Sequence, residues 1–169
     1  MVNPMEVVEE DHKRSLYKDE EILIADPGAH VKMAGKPSVF QLMMGGFIFG
    51  NKVPRKVGGT LYLTTKRLLF IREILKDDKE PTNTKERIAL RKEREFYQHI
   101  SGVLDAYTHK PRFGSPELEI YYQPRDKDIK PFTFRWMVDE PAPDVWAERI
   151  KELIGKVNPP TKEDLAISE

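Results

Sequence analysis

Apolar side chains recur at every second position in short bursts along the chain, the period of a strand with one buried face. In Gly59 to Ile71, Leu61 and Leu63 alternate with Tyr62 and Thr64, Thr65-Lys66 offers a polar turn, and Leu68 to Ile71 returns, which predicts a hairpin. Phe96 to His99 and Val103 to Thr108 flank Ser101-Gly102 as another strand pair. Leu118, Ile120 and Tyr122 share one face of Glu117 to Tyr122, and Phe132, Phe134 and Trp136 share one face of Phe132 to Met137. Upstream, Glu21 to Asp26 is an apolar run that the turn signal Pro27-Gly28 is expected to close.

One amphipathic helix is predicted after the strands. Pro143 suits a first helical turn, where its missing N–H costs nothing. Trp146, Ile150, Leu153, Ile154 and Val157 then form an apolar stripe at helical spacing. Asp144 sits at the positive end of the helix dipole, and Lys151 and Lys156 lie toward the negative end. Gly155 and Asn158-Pro159-Pro160 end the helix.

Two stretches break the strand pattern. Residues 34–57 contain an apolar run from Val39 to Gly50, and residues 75–95 begin and end in the charged phrases KDDKE and RKERE. The second suits a solvated loop or an exposed helix around Lys85 to Arg94. The organisation read from this is an arm (1–19), one domain (20–157) with insertions at 34–57 and 75–95, and a flexible tail (158–169). The core is expected on Ile22, Ile24, Leu61, Leu63, Leu68, Phe70, Leu118, Ile120, Phe132, Phe134, Trp136, Trp146, Ile150 and Leu153.

Composition narrows the function classes. The 169 residues suit one domain. Lys+Arg and Asp+Glu both number 28, so the net charge is zero, which disfavours a globally basic nucleic-acid binder. Hydrophobic residues at 39% are enough for a real core. The lack of cysteine removes disulfides, thiol nucleophiles and Cys-based zinc sites, and suggests a cytoplasmic setting. Met1 to Arg14, acidic and mixed, does not read as a targeting segment. Val39 to Gly50, at 12 residues, falls short of the ~20 that a spanning helix needs.

Charge is balanced but unevenly placed. Residues 1–26 carry a net of −5, residues 27–72 a net of +8 with no carboxylate at all, and residues 73–169 a net of −3. The acid-free stretch is the most unusual feature of the composition.

Catalytic patterns are lacking. His12, His30, His99 and His109 show no metal-ligand spacing, and no nucleophile elbow, P-loop or dinucleotide-binding glycine pattern occurs. Gly45-Gly46 and Gly58-Gly59 read as flexible hinges, Asp77-Asp78 and Glu93/Glu95 as solvated charge, and Trp136 and Trp146 as core. No enzymatic activity, metal or cofactor is expected.

The hairpin GTLYLTTKRLLFI (Gly59 to Ile71) resembles the G-x-L-x-L-T-x-x-R-L-x-F phrase of GRAM domains, a branch of the pleckstrin-homology-like superfamily. FYQHISGV (Phe96 to Val103) and the final strand and helix are similar to later parts of that pattern, over about residues 20–157. The resemblance implies a mostly β fold, a bent antiparallel barrel of about seven strands capped by a C-terminal helix. It also implies a non-catalytic binding module of the cytoplasm or of a peripheral membrane surface. Membrane-binding relatives use loops near their early strands, and Phe47, Phe49, Lys52, Arg55, Lys56, Lys66 and Arg67 are similar to such a lipid-binding group. The alternative is that the apolar insertion packs on the barrel, or serves as a protein-partner or homo-oligomer interface.

Overall fold

A computed structural model describes residues 8–32, 56–76 and 78–168 of the chain. Among the described residues, seven antiparallel strands form one sheet: β1 (Ile22–Lys32), β2 (Lys56–Thr64), β3 (Arg67–Arg72), β4 (Glu95–His99), β5 (Val103–His109), β6 (Glu117–Tyr122) and β7 (Phe132–Met137). Their order is β4-β3-β2-β1-β7-β6-β5, so two meanders meet where β1 pairs with β7. The helices among the described residues are α1 (Glu10–Lys13), α2 (Thr84–Arg94), α3 (Pro143–Leu153) and α4 (Lys162–Ser168). The fold is thus mostly β, a bent sheet with a C-terminal helix.

The alternating faces converge on a single main core. Leu61, Leu63, Leu68, Phe70, Leu118, Ile120, Trp136, Trp146 and Ile150 are fully buried there, with Ile24 and Phe134 beside them. Phe132, Leu153, Ile154 and Val157 pack on it partly buried. Helix α3 lies against β5 and β6, and Trp146 Nε1 donates to Pro141 O at 3.0 Å. Trp136 Nε1 donates to Gln98 Oε1 at 3.0 Å, which satisfies the indole inside the core.

A second apolar cluster was not legible in the alternation. Tyr62, Leu69 and Ile71 point away from the main core, yet they are buried under Val8, Leu16 and the rest of the N-terminal arm. Ile22 belongs to this outer cluster and not to the main core where it was expected. All six residues of β3 are buried as a result, because this half of the sheet is covered on both faces.

Several local expectations change. Pro27-Gly28 does not end β1; the strand runs on to Lys32, with a register shift between Asp26 and Ala29. Asp26 organises that irregularity, since its carboxylate accepts from Gly28 N at 2.9 Å and from Asp139 N at 2.7 Å. Lys56 and Val57, assigned to the insertion, begin β2, and Val57 is in the core. Gly58 and Gly59 are not hinges but paired strand positions opposite His30 and Ala29. A Cβ on Gly59 would lie 2.3 Å from Ile71 O, so the close approach of β3 requires glycine there.

The charged insertion contains the exposed helix α2, capped by the Asn83 side chain accepting from Glu86 N at 2.9 Å. Residues 162–168, within the expected tail, form α4, whose Asp164 is buried. Thr161 and Asp164 cap it reciprocally, each side chain accepting from the other's backbone N–H at 3.1 Å.

Candidate functional site

The residues singled out from sequence do not form one group. Phe47, Phe49, Lys52 and Arg55, with the whole Val39–Gly50 run, lie outside the described residues. Lys56 opens β2, directly opposite Lys32 in the β1–β2 register. Lys66 sits in the β2–β3 turn at the other end of the same strand, on the order of 30 Å away at strand rise. The hairpin therefore separates Lys56 from Lys66 and Arg67 instead of gathering them.

Arg67 is also not a surface cation. It is 2% exposed and forms a bidentate pair with Glu20, Nε to Oε2 at 2.9 Å and Nη2 to Oε1 at 3.1 Å. Nη2 further donates to Ser15 O at 2.6 Å, and the guanidinium carbon lies 3.9 Å from the Tyr17 ring centroid. Nε and Nη2 are engaged inside the protein and the side chain is buried, so Arg67 does not reach a headgroup or partner. Lys66 is half-buried and donates to Lys18 O at 2.9 Å, with Asp164 Oδ1 at 3.8 Å. These two residues fasten the arm and α4 to the turn, Arg67 from inside the protein and Lys66 from its partly exposed edge.

His99 lies beside this cluster at the end of β4. Its Nδ1 accepts from Ser101 N at 3.2 Å and lies 2.8 Å from Ser101 Oγ, a local cap of the turn Ile100–Gly102. Burial, and then the nearby Arg67 charge, push the imidazole down to about 4.

A second charged group ties the arm to α2 and β3. Arg94 grips both oxygens of Glu9 at 3.0 Å and donates to Arg72 O, which holds the Glu9 carboxyl below its usual range. His12 Nδ1 is 2.6 Å from Glu95 Oε1, an oxygen that Ser15 also reaches. Arg72, fully buried, forms a bidentate pair with Asp78 at 2.7 and 2.9 Å. Asp78 and Glu95, expected as solvated charge, instead hold the buried Arg72 and His12. Burial opposes ionisation of Asp78, but the Arg72 guanidinium and the Leu75 N–H outweigh it and keep its carboxyl low.

A cavity of about 300 Å³ opens beside this group, lined by Glu9, Gly59, Tyr62, Arg72, Glu73 and Arg94 among others. Carboxylates already hold both of its guanidiniums, so its chemistry is that of a structural network. Burial pushes the Tyr62 hydroxyl at its wall up to about 12, which makes it a poor acid. Among the described residues, no three His, Asp or Glu side chains converge on a metal position. No helix there is long and apolar enough to cross a membrane.

Sequence reasoning missed the buried pairs because their partners lie far apart: Glu20 and Arg67 by 47 positions, Glu9 and Arg94 by 85. The one available signal was the acidic arm preceding an acid-free stretch, which is charge complementarity without an address. Compared with protein-family models and with curated proteins, the chain gives no match.

Proposed function

We propose that the chain is a non-catalytic binding module of the GRAM and pleckstrin-homology kind, which docks reversibly on anionic phospholipid surfaces through its β1–β2 connection. One observation carries the reading: the connection leaves and re-enters the sheet at two lysines, Lys32 and Lys56, on directly opposed positions. Two lysines thus mark that end of the hairpin in sequence and register, and an anionic surface is the complementary partner for them. The intervening sequence adds Lys36, Lys52 and Arg55 without a carboxylate, and it includes Phe47, Ile48 and Phe49. Each cation near an anionic leaflet contributes roughly 1 kcal/mol, and apolar side chains supply the second signal that stable attachment needs. Arg67 and Lys66 are outside this group, for the reasons of burial and engagement given above.

The test is vesicle co-sedimentation with and without phosphatidylserine at low and high salt, on the wild type and on the combined Lys52→Glu, Arg55→Glu, Lys56→Glu variant. Binding that needs anionic lipid, weakens with salt and disappears in the variant supports the reading. Equal, negligible pelleting in every condition overturns it. Light scattering on the same samples identifies the assembly alternative: a defined oligomer that the Phe47→Ser, Phe49→Ser variant dissociates.

A further inference from the structure

The β5–β6 connection, residues 110–116, carries Phe113, which is 84% exposed, the most exposed large apolar side chain among the described residues. Single apolar residues on a surface are ordinary. The setting of this one is not. Lys110 and Arg112 precede it in the same loop, both exposed, and the Arg112 guanidinium carbon lies 5.6 Å from the Phe113 ring centroid. No acidic residue occurs between Asp105 and Glu117. His109, the other basic residue there, turns back toward Glu119 at 3.6 Å, so the tip's outward charge comes from Lys110 and Arg112.

The loop is also limited in its freedom. Pro111 and Pro116 bracket the tip, and Gly114 takes φ +108°, a conformation that suits glycine. An exposed aromatic ring beside the Arg112 cation, in a loop that also exposes Lys110, suits an occupant with negative charge at its surface and apolar material directly beneath. An anionic bilayer supplies both layers, headgroup phosphates for the cations and the interfacial zone for the ring.

We infer that the Phe113 tip is a second membrane-contacting point, with Lys110 and Arg112 meeting lipid phosphates while Phe113 enters the interface. The inference rests on the membrane reading above, but its residues are separate from the β1–β2 connection. It is therefore tested separately.

The chain has two tryptophans, Trp136 and Trp146, both fully buried in the core. A Phe113→Trp variant adds one reporter at the tip. Mixed with phosphatidylserine vesicles whose acyl chains are brominated, its emission is expected to be quenched, while the wild-type emission is not and phosphatidylcholine vesicles quench neither. Phe113→Ala is expected to weaken vesicle partition about tenfold, the loss expected from burying part of a phenyl ring. The Lys110→Glu, Arg112→Glu variant is expected to lose part of the salt-sensitive binding. Unchanged melting of each variant shows that the fold is retained.

Wild-type pelleting with no quenching in Phe113→Trp, or with Phe113→Ala binding like the wild type, overturns the tip and leaves the membrane reading standing. No wild-type pelleting in any condition overturns both. A change in Phe113→Trp emission with polyglutamate but not with vesicles makes the tip a protein-docking point and overturns the lipid assignment.

Discussion

Arg67 and Glu20 face each other beneath the N-terminal arm, with two hydrogen bonds at 2.9 and 3.1 Å and less than a tenth of either residue exposed. Thr64 Oγ1 donates to the same Glu20 at 2.6 Å, and Glu20 accepts from Tyr17 N at 2.9 Å, so the carboxylate is saturated. The pair joins the arm to the β2–β3 turn. Removing one member strands the other as a buried charge, which costs about 3–5 kcal/mol. Arg67→Ala is expected to lower the unfolding free energy measured by urea denaturation by that amount, and Arg67→Ala with Glu20→Ala is expected to lose less than the two single losses combined. Additive losses in this double-mutant cycle would show that the two residues are not coupled.

Trp146 carries α3 onto the sheet. It is fully buried in the main core, and its indole N–H is satisfied by Pro141 O. Trp146→Ala is expected to cost about 3–5 kcal/mol, the range for large aromatics removed from cores. Wild-type melting of the variant would mean that α3 does not hold the core closed.

Gly59 lies on β2 where the backbone of β3 leaves no room for a Cβ. Its missing Cβ would meet Ile71 O at 2.3 Å and Arg72 Cα at 2.7 Å, both backbone atoms that cannot rotate away. Gly59→Ala is expected to destabilise by about 1–3 kcal/mol through strand displacement. Gly155→Ala, with open space around its Cβ, is the contrast: its cost comes only from φ +80°. Denaturation midpoints of the two variants distinguish crowding from backbone strain.

Acid is expected to weaken the fold in two stages. His99 titrates at about 4 in the folded chain against 6.5 in a free side chain. Between those values the unfolded chain binds a proton that the folded one refuses. Stability is therefore full above pH 6.5 and falls toward pH 4, by about 3 kcal/mol in all. Glu9 and Asp78, whose ordinary values are 4.5 and 3.8, ionise more readily when folded, so their contribution disappears as pH falls further. Urea midpoints at pH 7.5 and 4.5 measure the first stage, and His99→Gln is expected to flatten it. An equally steep dependence in that variant would assign the slope to other groups.

Local alternation determined most of the fold from sequence. Leu61 and Leu63, Leu118 and Ile120, and Phe134 and Trp136 reach the core because each pair keeps a period of two, which any one-sided strand imposes on its own residues. The Trp146–Ile150 stripe was legible for the same reason at a period near 3.6. Pro27-Gly28 suits a turn and a strand irregularity equally, because the two have the same local composition, and in β1 it is the second. What decides between them is the partner strand, which sequence does not display.

Sequence by itself determined the seven strands, the C-terminal helix and the acid-free middle of the chain, since each is a property of neighbours along the backbone. Only the tertiary structure decided which charges face water. Arg67 and Lys66 read as a surface group with Lys56, but the β2–β3 hairpin carries them to the opposite end, where Glu20 and Lys18 engage them. Tyr62 and Leu69 looked one-sided until the arm covered them. Both outcomes come from contacts across 40 or more positions, from Glu20 to Arg67 and from Val8 to Tyr62. Pairing energies depend on distance in space, and distance in space is what the folded chain supplies.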